Sequence, residues 1–139
     1  MRTFETGATR DTDETKHDPE GFLSPLVIQR FNEYMAVHRV QADGAPRDSD
    51  NWTKGIPPDA YVKSLLRHVL DIWLHHRKFS DKTTGSLEDA LCATMFNAMG
   101  LLYEVLQDTR KKATSQSPVS KDLLVLAAHL RGLPKQEHV

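Results

Sequence analysis

Between Ala90 and Leu102 only Thr94, Asn97 and Gly100 interrupt a run of apolar side chains. A helix that is apolar nearly all round must be shielded on several sides, so this segment predicts the centre of a helical bundle. Residues 60–106 hold 25 apolar side chains in 47 positions, whereas residues 1–25 hold five beside nine charged ones. The first 23 residues therefore bury too little apolar surface to order themselves, and a polar arm is expected, floppy or ordered by something that it wraps. At 139 residues the chain has the length of one domain, 1–139, able to bury a core without staples.

Helix boundaries follow from local signals. Ser24 followed by Pro25 gives an N-cap and a first helical position, with Ile28, Phe31 and Met35 on one face to about Arg39. A long loop follows, punctuated by Gly44, Pro46, Gly55, Pro57 and Pro58. The second helix starts near Pro58 or Asp59; Val62, Leu65, Leu66, Val69, Ile72 and Trp73 recur at helical spacing, and it ends near Phe79. Ser86 with Asp89 three positions later reads as a capping box for a third helix reaching Leu106. Residues 107–117 read as a polar linker, and Ser117-Pro118 opens a last helix, 118–131, stopped by Gly132 and Pro134. No segment alternates with period two. The expected fold is all-α, a four-helix-type bundle with an irregular N-terminal arm and one long loop before the second helix. A long loop in so small a bundle suggests a functional one.

With 18 basic against 19 acidic residues the net charge is −1, which disfavours broad electrostatic capture of a nucleic acid polymer. The apolar run stops short of the roughly 20 residues of a membrane span, and the N-terminus lacks the apolar stretch of a signal peptide. The single cysteine, Cys92, forms no intramolecular disulfide, so a cytoplasmic location is expected. No phosphate-binding glycine loop, GxSxG elbow or HExxH motif is present.

The second helix carries the densest chemistry. His68, Asp71 and His75 fall on one stripe, and Arg67 lies four residues before Asp71. Such a stripe builds metal and acid/base sites inside bundles; equally, Asp71 pairs with Arg67 or His75 on a solvated face. Glu88 and Asp89 in the first turn of the third helix complement its dipole. Packed beside Asp71, they would gather three carboxylates, the hard oxygen donors that Mg²⁺ takes together with phosphate oxygens and water. Asn97, inside the apolar run, reads a ligand or holds a neighbouring helix, since a buried amide left unpaired costs about 1–3 kcal/mol. Asn51, Trp52, Lys54 and Gly55 combine an amide, a flat aromatic, a cation and a flexible backbone, parts suited to a base and a phosphate. Trp52 serves equally well as a residue that pins the loop to the bundle.

The order of Gly7–Asp11 (GATRD), Lys16 with Asp18, Asp50-Asn-Trp-x-Lys-Gly-Ile-Pro57, Ser64-Leu-Leu-Arg-His68 with Asp71, Leu91-Cys-Ala and Phe96-Asn97 resembles a phage and prophage family. This is the dATP/dGTP diphosphohydrolase N-terminal family, relatives of the MazG-like all-α nucleotide pyrophosphohydrolases, and the likeness runs from about Gly7 to Leu106. It implies Mg²⁺-dependent cleavage (with Mn²⁺ as a substitute) of a purine deoxynucleoside triphosphate to the monophosphate and pyrophosphate, by a homo-oligomer, dimer or tetramer, in the host cytoplasm. On this resemblance Asp71, Glu88 and Asp89 match the metal ligands, Arg67 and Lys54 the phosphate-neutralising cations, and His68 a residue that orients water or a carboxylate. Asn51 and Trp52, with Asn97, would hold the base, and the N-terminal arm would close as a lid. The EExxE run and later ExxD usual in MazG-like enzymes do not stand here, and Ala90 and Ala93 occupy places where related phage sequences tend to have His. A reading from another class is a phage helical protein that keeps the bundle but sequesters a nucleotide or a host protein, its final helix (Leu123, Leu124, Leu126, Leu130) serving as a docking or dimer surface.

Overall fold

The computed structural model describes residues 1–116 and 118–131. The expected cap Ser117 and the stop signals Gly132 and Pro134 lie outside the described residues. The fold is all-α, with five α-helices among the described residues: α1 Pro19–Phe22, α2 Pro25–His38, α3 Pro58–His76, α4 Leu87–Ser115 and α5 Pro118–Arg131. Contacts divide the chain into two compact units, Met1–Arg47 and Asp48–Val139.

In the first unit the arm is more regular than its composition predicts. Arg2–Thr3 (β1) pairs antiparallel with Thr9–Arg10 (β2), Arg2 opposite Arg10 and Thr3 opposite Thr9. Gly7 turns the chain at φ 83°, and Asp13 accepts ion pairs from Arg2 and Lys16 at 3.3 and 3.4 Å. Backbone pairing and a glycine turn thus supply local order where apolar burial is lacking. Asp18 caps α1, accepting from the Gly21 amide, and Ser24 caps α2 through the Val27 amide with Pro25 in the first turn. The Ser-Pro signal is therefore borne out. Beyond α2, Arg39 Nε donates to the Arg47 carbonyl at 2.7 Å, and Val40 bridges Pro46.

The second unit is built on an antiparallel pair. Helix α3 packs along α4, while α5 meets α4. Small side chains make the close approach possible: Ala90, Ala93, Asn97 and Gly100 recur at steps of three and four and are all buried. Opposite them Tyr61, 1% exposed, is the largest fully buried side chain among the described residues. Ser86 caps α4 by accepting from the Asp89 amide at 3.1 Å, as the capping signal predicts.

Of the expected linker 107–117, the described part is not a linker. Helix α4 runs on to Ser115, a correction with a physical reason. Gln107–Ser115 contains neither Gly nor Pro and is rich in helix-forming Gln, Arg, Lys and Ala, and Asp108 pairs with Lys112 at 2.7 Å one turn on. Loss of apolar periodicity marks where burial ends, and the helix outlasts it. The long loop also holds a short 3₁₀ helix, Asn51–Lys54.

Candidate functional site

The residues singled out in the sequence fall at two ends of the α3–α4 pair. At one end, Asp50–Gly55 turns tightly: the Asn51 amide donates to the Asp48 carbonyl at 3.0 Å and the Thr53 hydroxyl to the Asp50 carbonyl at 2.7 Å. This turn brings Trp52 edge-on to Tyr103 of α4, centroids 4.8 Å apart at 75°. Asn51 and Trp52 remain partly exposed, and Lys54 is exposed with its ammonium 3.9 Å from Asp48. At that distance Lys54 is free to reorient toward a phosphate. Trp52 therefore pins the loop to α4 and still offers part of its surface.

Below this pair lies a buried polar cluster that sequence reasoning missed. Tyr61 faces Gly100 and meets Phe96 edge-on at 6.1 Å between centroids. The Tyr61 hydroxyl and the Glu104 Oε1 are both buried without a hydrogen-bond partner. Burial, and after it the Glu104 carboxylate, hold the Tyr61 phenol above its ordinary value. The signal that could have found Glu104 is its spacing, four residues beyond Gly100 and seven beyond Asn97, on the stripe that faces α3. Asn97 belongs to the same stripe, but its Nδ2 donates to the Ala93 carbonyl at 2.8 Å. That donor is satisfied within its own helix.

At the other end, the α3–α4 connection is tied down by the residues expected to do chemistry. The Thr84 hydroxyl donates to Asp71 Oδ2 at 2.7 Å. His75 uses both ring nitrogens, Nδ1 toward the Ser80 hydroxyl at 3.1 Å and Nε2 toward the Gly85 carbonyl at 2.9 Å. The second of these contacts requires a protonated Nε2, because a carbonyl only accepts. Lys78 turns the chain at φ 68°, in the left-handed region that non-glycine residues seldom occupy. Arg67 donates to Ser64 at 2.9 Å, one turn back along α3, rather than to Asp71. His68 is half-buried, seven residues from Tyr61 and so on the face toward α4.

Asp71 is thus brought to the head of α4, whose first turn carries Glu88, exposed, and Asp89, half-buried. Among the described residues, however, no group of three His, Cys, Asp or Glu side chains converges as a metal would need. The donor set as placed does not fit a Mg²⁺ ion held by Asp71, Glu88 and Asp89. Nor do the two ends form one site. Tyr103 lies 14 residues beyond Asp89, about 21 Å along α4. A base held at Trp52 would leave its phosphates far from those carboxylates.

Compared with known proteins, the chain matches no family model, no curated protein and no solved structure. No helix among the described residues is long and apolar enough to cross a membrane.

Proposed function

We propose that this chain is a helical binding protein for a purine nucleoside triphosphate, and that it holds the nucleotide without cleaving it. The observation that carries this reading is the turn Asn51–Lys54 against Tyr103: an indole held edge-on, an amide beside it and a cation with only a 3.9 Å partner. An aromatic plane takes a base by stacking, and an ammonium meets a phosphate as a point charge. Separation of the acidic residues from this turn leaves the base and phosphate contacts as binding contacts alone. The departures from the MazG-like acidic runs agree with a protein that has kept a ligand and given up its metal.

The second reading is the Mg²⁺-dependent diphosphohydrolase implied by the resemblance to the phage family. Its one point of support is the Thr84–Asp71 hydrogen bond, which fixes an α3 carboxylate near the head of α4; the three carboxylates do not converge as placed.

One experiment separates the two. Binding of dATP and dGTP is measured by calorimetry with EDTA and again with Mg²⁺, and pyrophosphate release is followed in parallel. The binding reading expects affinity in EDTA that falls about tenfold or more in Trp52→Ala, with no pyrophosphate. Release of pyrophosphate that needs Mg²⁺ and disappears in Asp71→Asn would install the hydrolase instead. Absence of binding under both conditions refutes both.

A further inference from the structure

A binding site made of Asn51, Trp52 and Lys54 alone leaves the buried polar pair beside it without a purpose. Glu104 follows Tyr103, the ring that Trp52 meets, by one residue on α4, and Tyr61 faces the same stripe from α3. Glu104 Oε1 and the Tyr61 hydroxyl are sealed from solvent, and neither has a hydrogen-bond partner among the described residues. Tyr61 is 1% exposed, so its hydroxyl finds no water from outside. Glu104 as a whole is half-buried, which leaves the rest of its side chain within reach of a ligand. A buried acceptor with nothing to accept lowers stability, and a charged one lowers it more. A turn that keeps such an oxygen next to an aromatic pair is suited to a ligand that brings donors.

We infer that Glu104 reads the base held at Trp52 and that this base is guanine, an inference that rests on the nucleotide-binding reading above. A carboxylate only accepts hydrogen bonds. On its pairing edge guanine presents two adjacent donors, N1–H and the 2-amino group, which match the two oxygens of one carboxylate. Adenine sets its amino donor beside the N1 acceptor, and cytosine sets its own beside N3, so one oxygen would face a lone pair. Thymine has a single N–H between two carbonyls. Guanine alone among the four offers paired donors.

The surroundings agree with that assignment. Neighbouring residues on a helix diverge by about 100° and 1.5 Å, so Glu104 stands to the side of the Tyr103 ring, where the edge of a base stacked at Trp52 comes. The last torsion of a glutamate is broad. The carboxylate therefore turns to meet the base without any movement of α4, and the Tyr61 hydroxyl donates to the oxygen on its own side. Burial and the Glu104 carboxylate keep that phenol protonated, as a donor must be. With the pairing edge toward α4, the sugar leaves from the opposite side of the purine. The half-exposed Asn51 then supplies an amide for O6, and the exposed Lys54 a charge for the phosphates.

The test is calorimetry on the full chain in EDTA with dGTP, dATP and dITP, the last lacking only the 2-amino group of dGTP. dGTP should bind about 10- to 100-fold more tightly than dATP, the range of a charge-assisted contact made or left unmade, with dITP between them. Glu104→Gln keeps the shape and removes the charge; its amide accepts at one atom and donates at the other, which suits adenine. In that variant the ratio of the two affinities should collapse or invert while the circular dichroism stays as it was. A loss of stability alone lowers both affinities together and does not move the ratio. Equal affinities for dGTP and dATP, or a preference for dATP, overturn the inference, and if both fall in Trp52→Ala the binding reading still stands. A dGTP preference that survives Glu104→Gln overturns the role of Glu104. No binding of any of the three overturns the binding reading, and the assignment of guanine falls with it.

Discussion

Replacing Gly100 by alanine sets two effects of known size against each other. In an unconstrained helix interior the change stabilises by about 1 kcal/mol, because glycine loses more backbone freedom on folding. Here a Cβ at residue 100 would overlap the ring edge and hydroxyl of Tyr61. Tyr61 is 1% exposed and packed between α3 and α4, so it has nowhere to go without parting the helices. Overpacking of this kind costs about 1–3 kcal/mol, and a contact this close belongs in the upper part of that range. The net expectation is a loss of about 1–2 kcal/mol. In a Tyr61→Leu background the offending ring atoms are gone, and the same Gly100→Ala change should stabilise by up to about 1 kcal/mol. Urea unfolding followed by circular dichroism, at one protein concentration so that association does not enter, measures all four corners of the cycle. A Gly100→Ala variant as stable as the parent or more so, or a cycle without the change of sign, would refute the close approach of α3 to α4 at this point.

Three further outcomes follow from the same unit. The raised phenol of Tyr61 means that the folded state holds this proton where the unfolded chain releases it, so its contribution to stability is complete below pH 10 and is lost as the pH climbs through the ordinary value of 10.0 toward the folded one; Tyr61→Phe should flatten the alkaline fall in urea stability, and an unchanged fall would place the cause elsewhere. Thr84→Val removes the hydrogen bond to Asp71 and should cost about 0.5–1.5 kcal/mol while speeding amide exchange in the α3–α4 connection, which a mass-spectrometric exchange experiment reads directly. Ser86→Ala removes the α4 cap and should cost about 1 kcal/mol in urea unfolding, whereas Ser86→Asp should retain most of the stability.

What could be read from sequence was what is encoded locally. Ser24-Pro25 and Ser86 mark helix starts because a cap is satisfied within three residues of itself, and both are found where the signals lie. The apolar excess of 60–106 located α3 and α4 for the same reason: periodicity belongs to one helix at a time. The end of α4 was misplaced at Leu106 because apolar periodicity reports burial, while the Asp108–Lys112 pair and the helix-forming side chains of Gln107–Ser115 keep a solvated helix going. Likewise, the arm's short hairpin rests on backbone pairing and the turn at Gly7, which no apolar pattern announces.

The candidate site shows where residue type ceases to be informative. Asp71 and His75 have the spacing of a functional stripe, and they are placed together, yet Thr84, Ser80 and Gly85 take up their polar atoms. Those three partners lie 5 to 13 residues away in a connection with no sequence motif of its own, so the same stripe reads identically whether it binds a ligand or a loop. Tyr61 and Gly100 are farther apart still, and only the meeting of two helices makes one of them decisive for the other. The same limit governs the apolar excess of α4. A helix apolar on most of its circumference must be covered on most of it, but α3 covers one side only, leaving Leu91, Leu102 and Val105 open. Hydrophobic periodicity states how much surface a helix has to bury and on which line, and is silent on what covers it.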